Sequence, residues 1–440
     1  MHLPRGLVLS LILLLTACTQ PPAPAAIAPP LASLPPISGT AWPVPTSTTS
    51  AAASASPPTT TPTVTPTPVA LPTASATPTR TPAPTAVPTP ASCAIHTLAA
   101  MSEEQKIGQL FMIGLTGDAL TPEIRSAIGA YHIGSVLFAR RSSAGVAGLR
   151  LVADRVQEQA SLAATNGVRF FVAANQEGGQ VQALSGPGFS TIPSALDQGR
   201  MAPSALQAAA TRWAAELRAA GVNLDLAPVA DVVPPGTDQQ NAPIGTYQRE
   251  YAHDPASAGG PLSAFVTGMT ANGVATTAKH FPGLGRVAGN TDFTADVIDS
   301  ITTRDDPYLA PFAAAIRAGV PFAMISEATY QRIDPAHMAV FSDTVINGML
   351  RGDLGFRGVV ISDSLGSTAV ASMPPADRAI DFLDAGGDMI VLNQLDQAIE
   401  MLQAVNAMAQ EHDWFRDRIE NAAWHVLRAK EAAGLLSCGQ

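Results

Sequence analysis

The chain has 440 residues, with 25 basic and 35 acidic side chains and a formal net charge of −10. Before Cys93 only Arg5 and Arg80 are charged, so the rest of the chain carries 23 basic against 35 acidic residues, a net charge of −12. This acidic balance argues against nucleic acid as a partner and against electrostatic adhesion to anionic lipid.

Residues 1–18 have the features of a secretory signal and are not expected to belong to the fold. Arg5 precedes an apolar run from Leu7 to Leu15, and small residues follow up to Cys18. The ending Leu15-Thr16-Ala17-Cys18 resembles a bacterial lipobox, which would make Cys18 the lipid-modified first residue of the mature chain. The alternative is a simple secretory signal in which Cys18 is incidental.

We therefore expect an exported protein, held by a lipid anchor at the outer face of the bacterial cytoplasmic membrane or elsewhere in the cell envelope. The later apolar stretches are too short to cross a bilayer, so membrane contact is expected through the lipid alone.

Residues 19–92 are predicted to be a stalk. They are mainly Pro, Thr, Ala and Ser, and Arg80 is their single charge. Such a composition cannot bury enough apolar surface to offset the entropy of the chain, and dense proline favours extended polyproline II. We infer that this stalk holds a folded domain, residues 93–440, away from the membrane.

The chain contains three cysteines. If Cys18 carries the lipid, Cys93 and Cys438 remain, one at each end of the expected domain. In an exported chain we expect a disulfide between them. The alternative is two free buried thiols, because a wide separation in sequence leaves the geometry undetermined.

Short apolar segments alternate with helical patterns through the expected domain. The short segments are apolar throughout, which is typical of strands covered on both faces. The predicted strands are Leu110–Leu115, Gly134–Ala139, Phe170–Asn175, Asn223–Val229, Val274–His280, Phe322–Ser326, Val359–Asp363 and Met389–Asn393. The predicted helices are Pro122–Tyr131, Gly145–Ala164, Ala202–Ala220, Pro255–Ala271, Asp306–Ala318, Thr344–Leu354, Pro375–Ala385, Leu395–Ala409 and Asp413–Ala433.

This alternation predicts an α/β fold, a (β/α)8 TIM-type barrel forming a single domain. The second possibility is an open doubly wound sheet. No glycine-rich dinucleotide-binding turn follows the first predicted strand, which disfavours that arrangement.

Polar residues follow most of the predicted strands. In a barrel the C-terminal strand ends meet at one mouth, where the active site lies. The residues at these ends are Asn175, Lys279, His280, Glu327 and Asp363. Carboxylates, an amide, a lysine and a histidine predict a site for a ligand with many hydroxyl groups. No His, Cys and Asp spacing suggests a metal, and no cofactor is expected. Alone, Lys279-His280 could equally be a strand-end lysine and a hydrogen-bonded histidine.

Five sequence phrases lie in order along these elements. They are Asn175-Gln176-Glu177-Gly178-Gly179, Ala227-Pro228-Val229-Ala230-Asp231-Val232, Lys279-His280-Phe281-Pro282-Gly283-Leu284-Gly285, Leu354-Gly355-Phe356-Arg357-Gly358-Val359-Val360-Ile361-Ser362-Asp363 and Ala385-Gly386-Gly387-Asp388-Met389. Through them, residues 101–410 resemble the catalytic barrel of family 3 glycoside hydrolases, in particular the bacterial β-N-acetylhexosaminidases that trim peptidoglycan sugars.

The resemblance implies roles for several residues. The aspartate after the seventh strand, Asp363, would be the nucleophile of a retaining hydrolase that forms a glycosyl-enzyme. Lys279 and His280 would bind sugar hydroxyls, and Arg249 and Asn175 fall near sugar-binding positions of the family. The alternative for Asp363 is the N-cap of a following helix.

The sequence also departs from the family pattern. Asn175 replaces a sugar-binding Asp, and Gln180 and Ala183 replace Arg. The loop after Lys279 has Asn290-Thr291-Asp292 where the family has Asp-Ser-His, whose histidine is the acid/base. Retaining hydrolysis requires a proton donor. Asp292 could supply the proton if its loop folds inward, and Glu327 is the second possibility. Asp292 could instead be a solvated loop carboxylate or part of an Asx-turn.

Two functional hypotheses follow. One is a lipid-anchored glycosidase, expected to be a monomer, that acts on β-linked amino sugars, either a cell-wall glycan or a muropeptide fragment. The other is a catalytically silent barrel that binds glycan at the cell surface. The retained Asp363 favours the enzyme, and the altered loop favours the silent barrel.

Overall fold

The computed structural model describes residues 92–437. The predicted signal, the stalk up to residue 91, Cys18 and Cys438 lie outside the described residues. The predicted barrel is confirmed, since eight parallel strands form a closed sheet in sequential order. The strands are β1 Phe111–Leu115, β2 Ser135–Phe138, β3 Phe171–Ala174, β4 Leu224–Asp225, β5 Ala275–Phe281, β6 Phe322–Ile325, β7 Val359–Ser364 and β8 Met389–Leu392.

Closure of the barrel joins the first strand to the last. Phe111 of β1 pairs with Ile390 of β8 in parallel register. Every residue of β1, β2, β3, β6 and β8 is buried. Helices cover the outer face and side chains fill the interior, which explains why these strands are apolar without alternation.

Strand β4 is shorter than the predicted Asn223–Val229. Its regular pairing ends at Asp225, two residues before Ala227-Pro228. Proline has no N–H to donate to a neighbouring strand, so the ladder is interrupted there. Pairing resumes at Val229, which forms an isolated parallel bridge with Lys279.

Helices surround the barrel. The α-helices are Cys93–Ala100, Glu103–Gln109, Pro122–Tyr131, Gly145–Gln157, Leu162–Thr165, Ala195–Gly199, Pro203–Ala219, Pro255–Ala271, Ala310–Arg317, Pro375–Asp384, Leu395–Glu411 and Asp413–Ala432. A π-helix spans Thr344–Asp353, and 3-10 turns span Asp238–Gln240, Gly245–Tyr247, Pro307–Leu309 and Ala339–Phe341. Short strands outside the barrel are Gln176–Gly178, Val181–Gln182, Ile298–Asp299, Thr329–Tyr330 and Asp334–Met338. None of the helices within residues 92–437 has the length and apolarity needed to cross a membrane.

Three predicted helices differ in detail from the structure, and one of them, Thr344–Leu354, is the π-helix given above. The predicted helix Gly145–Ala164 is divided, because the Ser161 side chain accepts a hydrogen bond from the Ala164 N–H and starts a new short helix. The predicted helix Asp306–Ala318 begins with a 3-10 turn, whose first turn is capped by the Asp306 side chain.

The N-terminal end of the barrel is closed by Lys430. Its ammonium group is fully buried and donates to Gln109 Oε1 and to the Gly134 carbonyl, both at 2.7 Å. Burial lowers the pKa of Lys430 well below its usual range. This end of the barrel is a packed core, so the chemistry belongs at the opposite end.

The N-terminal helix packs against the C-terminal helix. The Cys93 N–H donates to Glu431 Oε1 at 2.8 Å. Cys93 is disulfide-bonded. Its predicted partner, Cys438, lies outside the described residues, so the pairing of these two cysteines stays a prediction.

Candidate active site

A cavity of about 280 Å³ lies at the C-terminal ends of the barrel strands. Six of the residues predicted to form the site line this cavity: Asn175, Arg249, Lys279, His280, Asp292 and Asp363. They come from β5, β7 and the loops that follow other strands, so the barrel brings together residues far apart in sequence. The seventh, Glu327, is not among the residues that line the cavity.

Glu177 joins two of the predicted sugar-binding residues. Its carboxylate accepts two hydrogen bonds from the Arg249 guanidinium, both at 2.8 Å, and lies 2.7 Å from Lys279 Nζ. Burial alone would raise the pKa of Glu177, but Arg249 and Lys279 outweigh burial and lower this pKa to about 2. The carboxylate is therefore ionised and fixes both cations at the floor of the site.

The Lys279 ammonium group contacts two polar side chains. Besides Glu177, it donates to Asn175 Oδ1 at 2.8 Å, and the side chain is only 2 % exposed. An ammonium group has three N–H donors. The third has no partner within residues 92–437 and can donate to a hydroxyl oxygen of a ligand in the cavity.

His280 is held by Asp231, which is fully buried. Asp231 Oδ2 lies 2.7 Å from His280 Nδ1, and Oδ1 accepts from the main-chain N–H groups of His280 and Leu284, both at 3.0 Å. With Nδ1 donating to Asp231, a neutral imidazole carries its lone pair on Nε2. Asp231 thus has the structural strand-end role that its position predicts.

Asp363 lies in β7, half-buried, at the cavity wall. Its Oδ1 accepts a hydrogen bond from the Ser364 N–H at 2.9 Å. The next helix in the described chain begins at Pro375. Asp363 is therefore too far from that helix to be its N-cap, and the carboxylate is placed to meet a ligand.

The loop that carries Asp292 folds over the cavity. The main-chain oxygen of Thr291 accepts from the Ala369 N–H at 3.1 Å, and that of Asp292 accepts from Thr368 Oγ1 at 2.9 Å. Asn290 Oδ1 accepts from the Asp292 N–H at 3.0 Å, so the Asx-turn in this loop belongs to Asn290. These bonds attach the loop to the segment that follows Asp363.

The pKa of Asp292 is raised. Asp292 keeps solvent access where it lines the cavity. The surrounding protein still removes part of the water from its carboxylate, and this contributes most to the raised pKa; the Asp363 charge adds to it, and Arg249, His280 and Lys279 oppose it. Two carboxylates that face one cavity do not ionise together easily, so one holds its proton to higher pH. Asp292 has the raised pKa that a proton donor requires.

Comparison with known proteins identifies the family. The model of the glycosyl hydrolase family 3 N-terminal domain matches residues 102–429. The chain belongs to glycosyl hydrolase family 3. A β-hexosaminidase of Stenotrophomonas maltophilia R551-3 is 32 % identical in an alignment of 316 residues that covers 67 % of this chain and 87 % of that relative.

Solved structures of the family have the same fold. The crystal structure of a β-N-acetylhexosaminidase from Beutenbergia cavernae is 47 % identical with a TM-score of 0.73, covering 75 % of this chain and 98 % of that one. A family 3 β-N-acetylglucosaminidase from Paenibacillus is 27 % identical with a TM-score of 0.69, covering 77 % of this chain and 64 % of that one. The chain is a β-hexosaminidase-like glycoside hydrolase.

Glu327, the second possible acid of this glycoside hydrolase, is only 1 % exposed and is not among the residues that line the cavity. Its Oε2 accepts from Ser367 Oγ at 2.5 Å, and its Oε1 has no hydrogen-bond partner among the described residues. Burial, with Asp363 and Asp292, raises the pKa of Glu327 well above its usual range. Glu327 holds its proton to higher pH than an ordinary glutamate, but it is enclosed, so its position suits a leaving-group oxygen less well than that of Asp292.

Sequence reasoning did not single out three residues of the family 3 site. Glu177 is part of the motif after β3, but its ion pairs with Arg249 and Lys279 depend on the closed barrel. Tyr247 and Phe293 also line the cavity, and their side chains are 37 % and 76 % exposed. In the sequence, the available signal was an aromatic residue in each of two loops that follow predicted strands.

Proposed function

We propose that this protein is a retaining β-N-acetylhexosaminidase in which Asp363 is the nucleophile and Asp292 replaces the family's histidine as acid/base. The observation that carries the proposal is that both carboxylates line one cavity with Lys279 and His280. Asp292 has a raised pKa partly because of Asp363. Retaining hydrolysis requires an ionised nucleophile beside a protonated donor, and a raised pKa on one of the two carboxylates favours this arrangement.

In the first step the Asp363 carboxylate attacks the anomeric carbon. The bond from that carbon to the leaving oxygen breaks, and Asp292 gives its proton to this oxygen. A glycosyl ester of Asp363 results. In the second step Asp292, now a carboxylate, takes a proton from water as the water oxygen attacks the anomeric carbon. This step releases the sugar with retained configuration and restores both side chains.

The remaining polar groups of the cavity would bind sugar hydroxyls. Lys279 offers its third N–H, His280 offers Nε2, and Asn175 and Arg249 lie beside them. Glu177 neutralises part of the charge of Arg249 and Lys279. A site with donors but little net charge suits a neutral sugar such as an N-acetylhexosamine. The matched relatives named β-hexosaminidase and β-N-acetylhexosaminidase support this substrate class.

A panel of aryl β-glycosides tests the proposal with the purified full-length protein. We expect hydrolysis of β-N-acetylhexosaminides, and a loss of roughly 10³-fold or more in Asp363→Asn for every leaving group. Asp296→Asn is the control, since Asp296 is an exposed carboxylate of the same loop region as Asp292.

The silent glycan-binding barrel is the other outcome of this panel. Sugar binding without turnover of any substrate, including those with leaving groups that need no acid, would establish it. The altered Asn290-Thr291-Asp292 loop is the observation that favours it.

We further propose that the protein acts on cell-wall amino sugars as a lipid-anchored envelope protein. The sequence up to Cys18 supports this location. Expression of the full chain with Cys18→Ser should move the protein from the membrane fraction to the soluble fraction. Retention of the variant in the membrane fraction would contradict lipid anchoring through Cys18.

A further inference from the structure

The long segment between β4 and helix Pro255–Ala271 carries a second cluster of ionisable side chains. Its members are Asp238, Glu250 and His253, and none of them lines the active-site cavity. One ligand atom from each residue lies within 4.8 Å of the others. The cluster is therefore separate from the hydrolytic site and compact enough to surround a single ion.

Glu250 is the unusual member of this cluster. Its side chain is fully buried, and neither carboxylate oxygen has a hydrogen-bond partner among the described residues. By contrast, the buried carboxylate of Glu177 is paired with Arg249 and Lys279. A buried carboxylate without a donor is costly, and native proteins rarely keep one without an ion, a water molecule or a proton to compensate.

The side chains around the Glu250 carboxylate offer further ligands, and among the described residues its ion-pair contact is with His253 and not with a lysine or arginine. His253 Nδ1 lies 3.8 Å from Glu250 Oε1, 3.5 Å from Asp238 Oδ1 and 3.3 Å from the Val233 carbonyl oxygen. Two carboxylates, one imidazole and one main-chain carbonyl thus face each other. Each of these groups is an established metal ligand.

We infer that Asp238, Glu250 and His253 bind a divalent transition-metal cation, while the Val233 carbonyl accepts a hydrogen bond from the His253 ring. The imidazole nitrogen favours Zn²⁺ or Mn²⁺ over Ca²⁺ and Mg²⁺, which prefer oxygen ligands alone. A bound cation would compensate the Glu250 carboxylate, which the protein side chains leave unpaired.

The site would position a residue of the cavity. Glu250 directly follows Arg249, whose guanidinium binds Glu177 at the cavity floor. A cation held by Asp238 and by Glu250 and His253 would tie the two ends of the segment that supplies Arg249. Its role is therefore structural, and the cation takes no part in the hydrolytic steps.

The competing explanation is a proton. Burial and the nearby Asp238 carboxylate raise the pKa of Glu250 to about 7. A protonated Glu250 that donates to Asp238 would compensate the buried carboxyl group without metal. The two explanations differ in metal stoichiometry, so metal analysis separates them.

The test uses the full-length protein, stripped with a chelator and then dialysed against ZnCl2 or MnCl2. We expect about one metal ion per chain and, at saturation, a melting temperature raised by about 3–6 °C. Glu250→Gln and His253→Gln should each abolish the bound metal and the shift. His337→Gln, which alters an exposed histidine 3.0 Å from Asp334, is the matched control and should bind as the wild type does.

The melting temperature in the presence of chelator is a second readout, which distinguishes loss of metal binding from misfolding of the variants. Glu250→Gln removes an uncompensated buried charge, so in chelator it should melt at or above the wild-type temperature. If the wild type takes up no Zn²⁺ or Mn²⁺, or if Glu250→Gln binds it equally, the metal site is refuted. The proton-sharing explanation then stands, and the proposed hydrolytic function is unaffected because its assay needs no metal.

Discussion

Thr368 Oγ1 donates a hydrogen bond to the main-chain oxygen of Asp292 at 2.9 Å. The residues concerned are 76 positions apart in sequence. Thr368 lies shortly after the proposed nucleophile Asp363, so this bond directly joins the two segments that carry the proposed nucleophile and the proposed proton donor. The loop that replaces the family's Asp-Ser-His sequence is thereby held over the cavity.

The first prediction concerns this hydrogen bond. Thr368→Val removes the hydroxyl group but keeps the shape of the side chain, so the Asp292 loop should become less fixed. We expect kcat to fall by roughly 3–10-fold for substrates with poor leaving groups and to change little for activated ones, on the order of one lost hydrogen bond. Steady-state kinetics on both substrate types measures this split.

Thr294→Val is the control for Thr368→Val. Thr294 is an exposed threonine in the same loop region, and its side chain makes no bond to the segment after Asp363. An equal loss of kcat for both types of substrate in Thr368→Val would contradict a role in positioning Asp292.

The second prediction concerns the proton donor. Asp292→Ala should lower kcat/KM by about 10²–10⁴-fold for poor leaving groups and have little effect on activated ones. The donor must be protonated, so activity should fall as the pH rises through its pKa. Because this pKa is raised, the fall should come at higher pH than for an ordinary aspartate. The pH profile of the variant should lack this alkaline limb.

An unchanged rate of Asp292→Ala on poor leaving groups would remove Asp292 as the acid. Glu327→Gln should then be measured in the same assay. If Asp292 is the acid, Glu327→Gln should retain the alkaline limb of the pH profile, because Glu327 is buried and does not line the cavity.

The third prediction concerns the buried charge network. Glu177→Gln leaves Arg249 and Lys279 without their shared carboxylate, which should lower the free energy of unfolding by about 3–5 kcal/mol. Substrate binding should weaken as well, because both cations lose their fixed positions. Urea unfolding and KM values measure the two effects. Glu158→Gln, at an exposed glutamate, is the control and should change neither.

The same carboxylate predicts a dependence of stability on pH. The pKa of Glu177 falls from 4.5 to about 2 on folding. The native state therefore gains stability that is complete above pH 4.5 and is lost as the pH falls towards 2. The contribution is on the order of 3 kcal/mol. Urea midpoints measured across this range should drop more steeply for the wild type than for Glu177→Gln.

The fourth prediction concerns the disulfide of Cys93. If Cys438 is its partner, Cys93→Ser and Cys438→Ser should lower the stability equally, by about 2–5 kcal/mol. Cys18→Ser should leave the melting temperature unchanged. Peptide mapping of the non-reduced chain should also recover a Cys93–Cys438 fragment, and a cross-link from Cys93 to Cys18 would overturn the predicted pairing.

Local sequence signals were enough to predict the bounds of several helices. The helices Pro122–Tyr131 and Pro255–Ala271 have the bounds predicted from sequence. In each a proline occupies the first turn, and the side chain of the preceding residue, Thr121 or Asp254, caps the helix. These signals act within a few residues and do not depend on the rest of the fold. Strand β4 was predicted too long because its apolar pattern continues past the point where Pro228 interrupts the pairing.

The barrel, and the placement of polar residues at its mouth, followed from the sequence alone. Alternating apolar strands and amphipathic helices can bury their faces in few ways, and parallel strands direct their C-terminal ends to one side. Asn175, Lys279, His280 and Asp363 were thus assigned to one site before any distance was known.

The tertiary structure alone decided the pairing of Glu177 with Arg249 and Lys279 and the distinct positions of Asp292 and Glu327. It also decided that Glu250 is buried with no hydrogen-bond donor in the part of the chain that the structure describes. Sequence patterns report which residues are buried or exposed along one element. Ion pairs, raised pKa values and unpaired carboxylates depend on distances between elements, and those distances exist only once the barrel has closed.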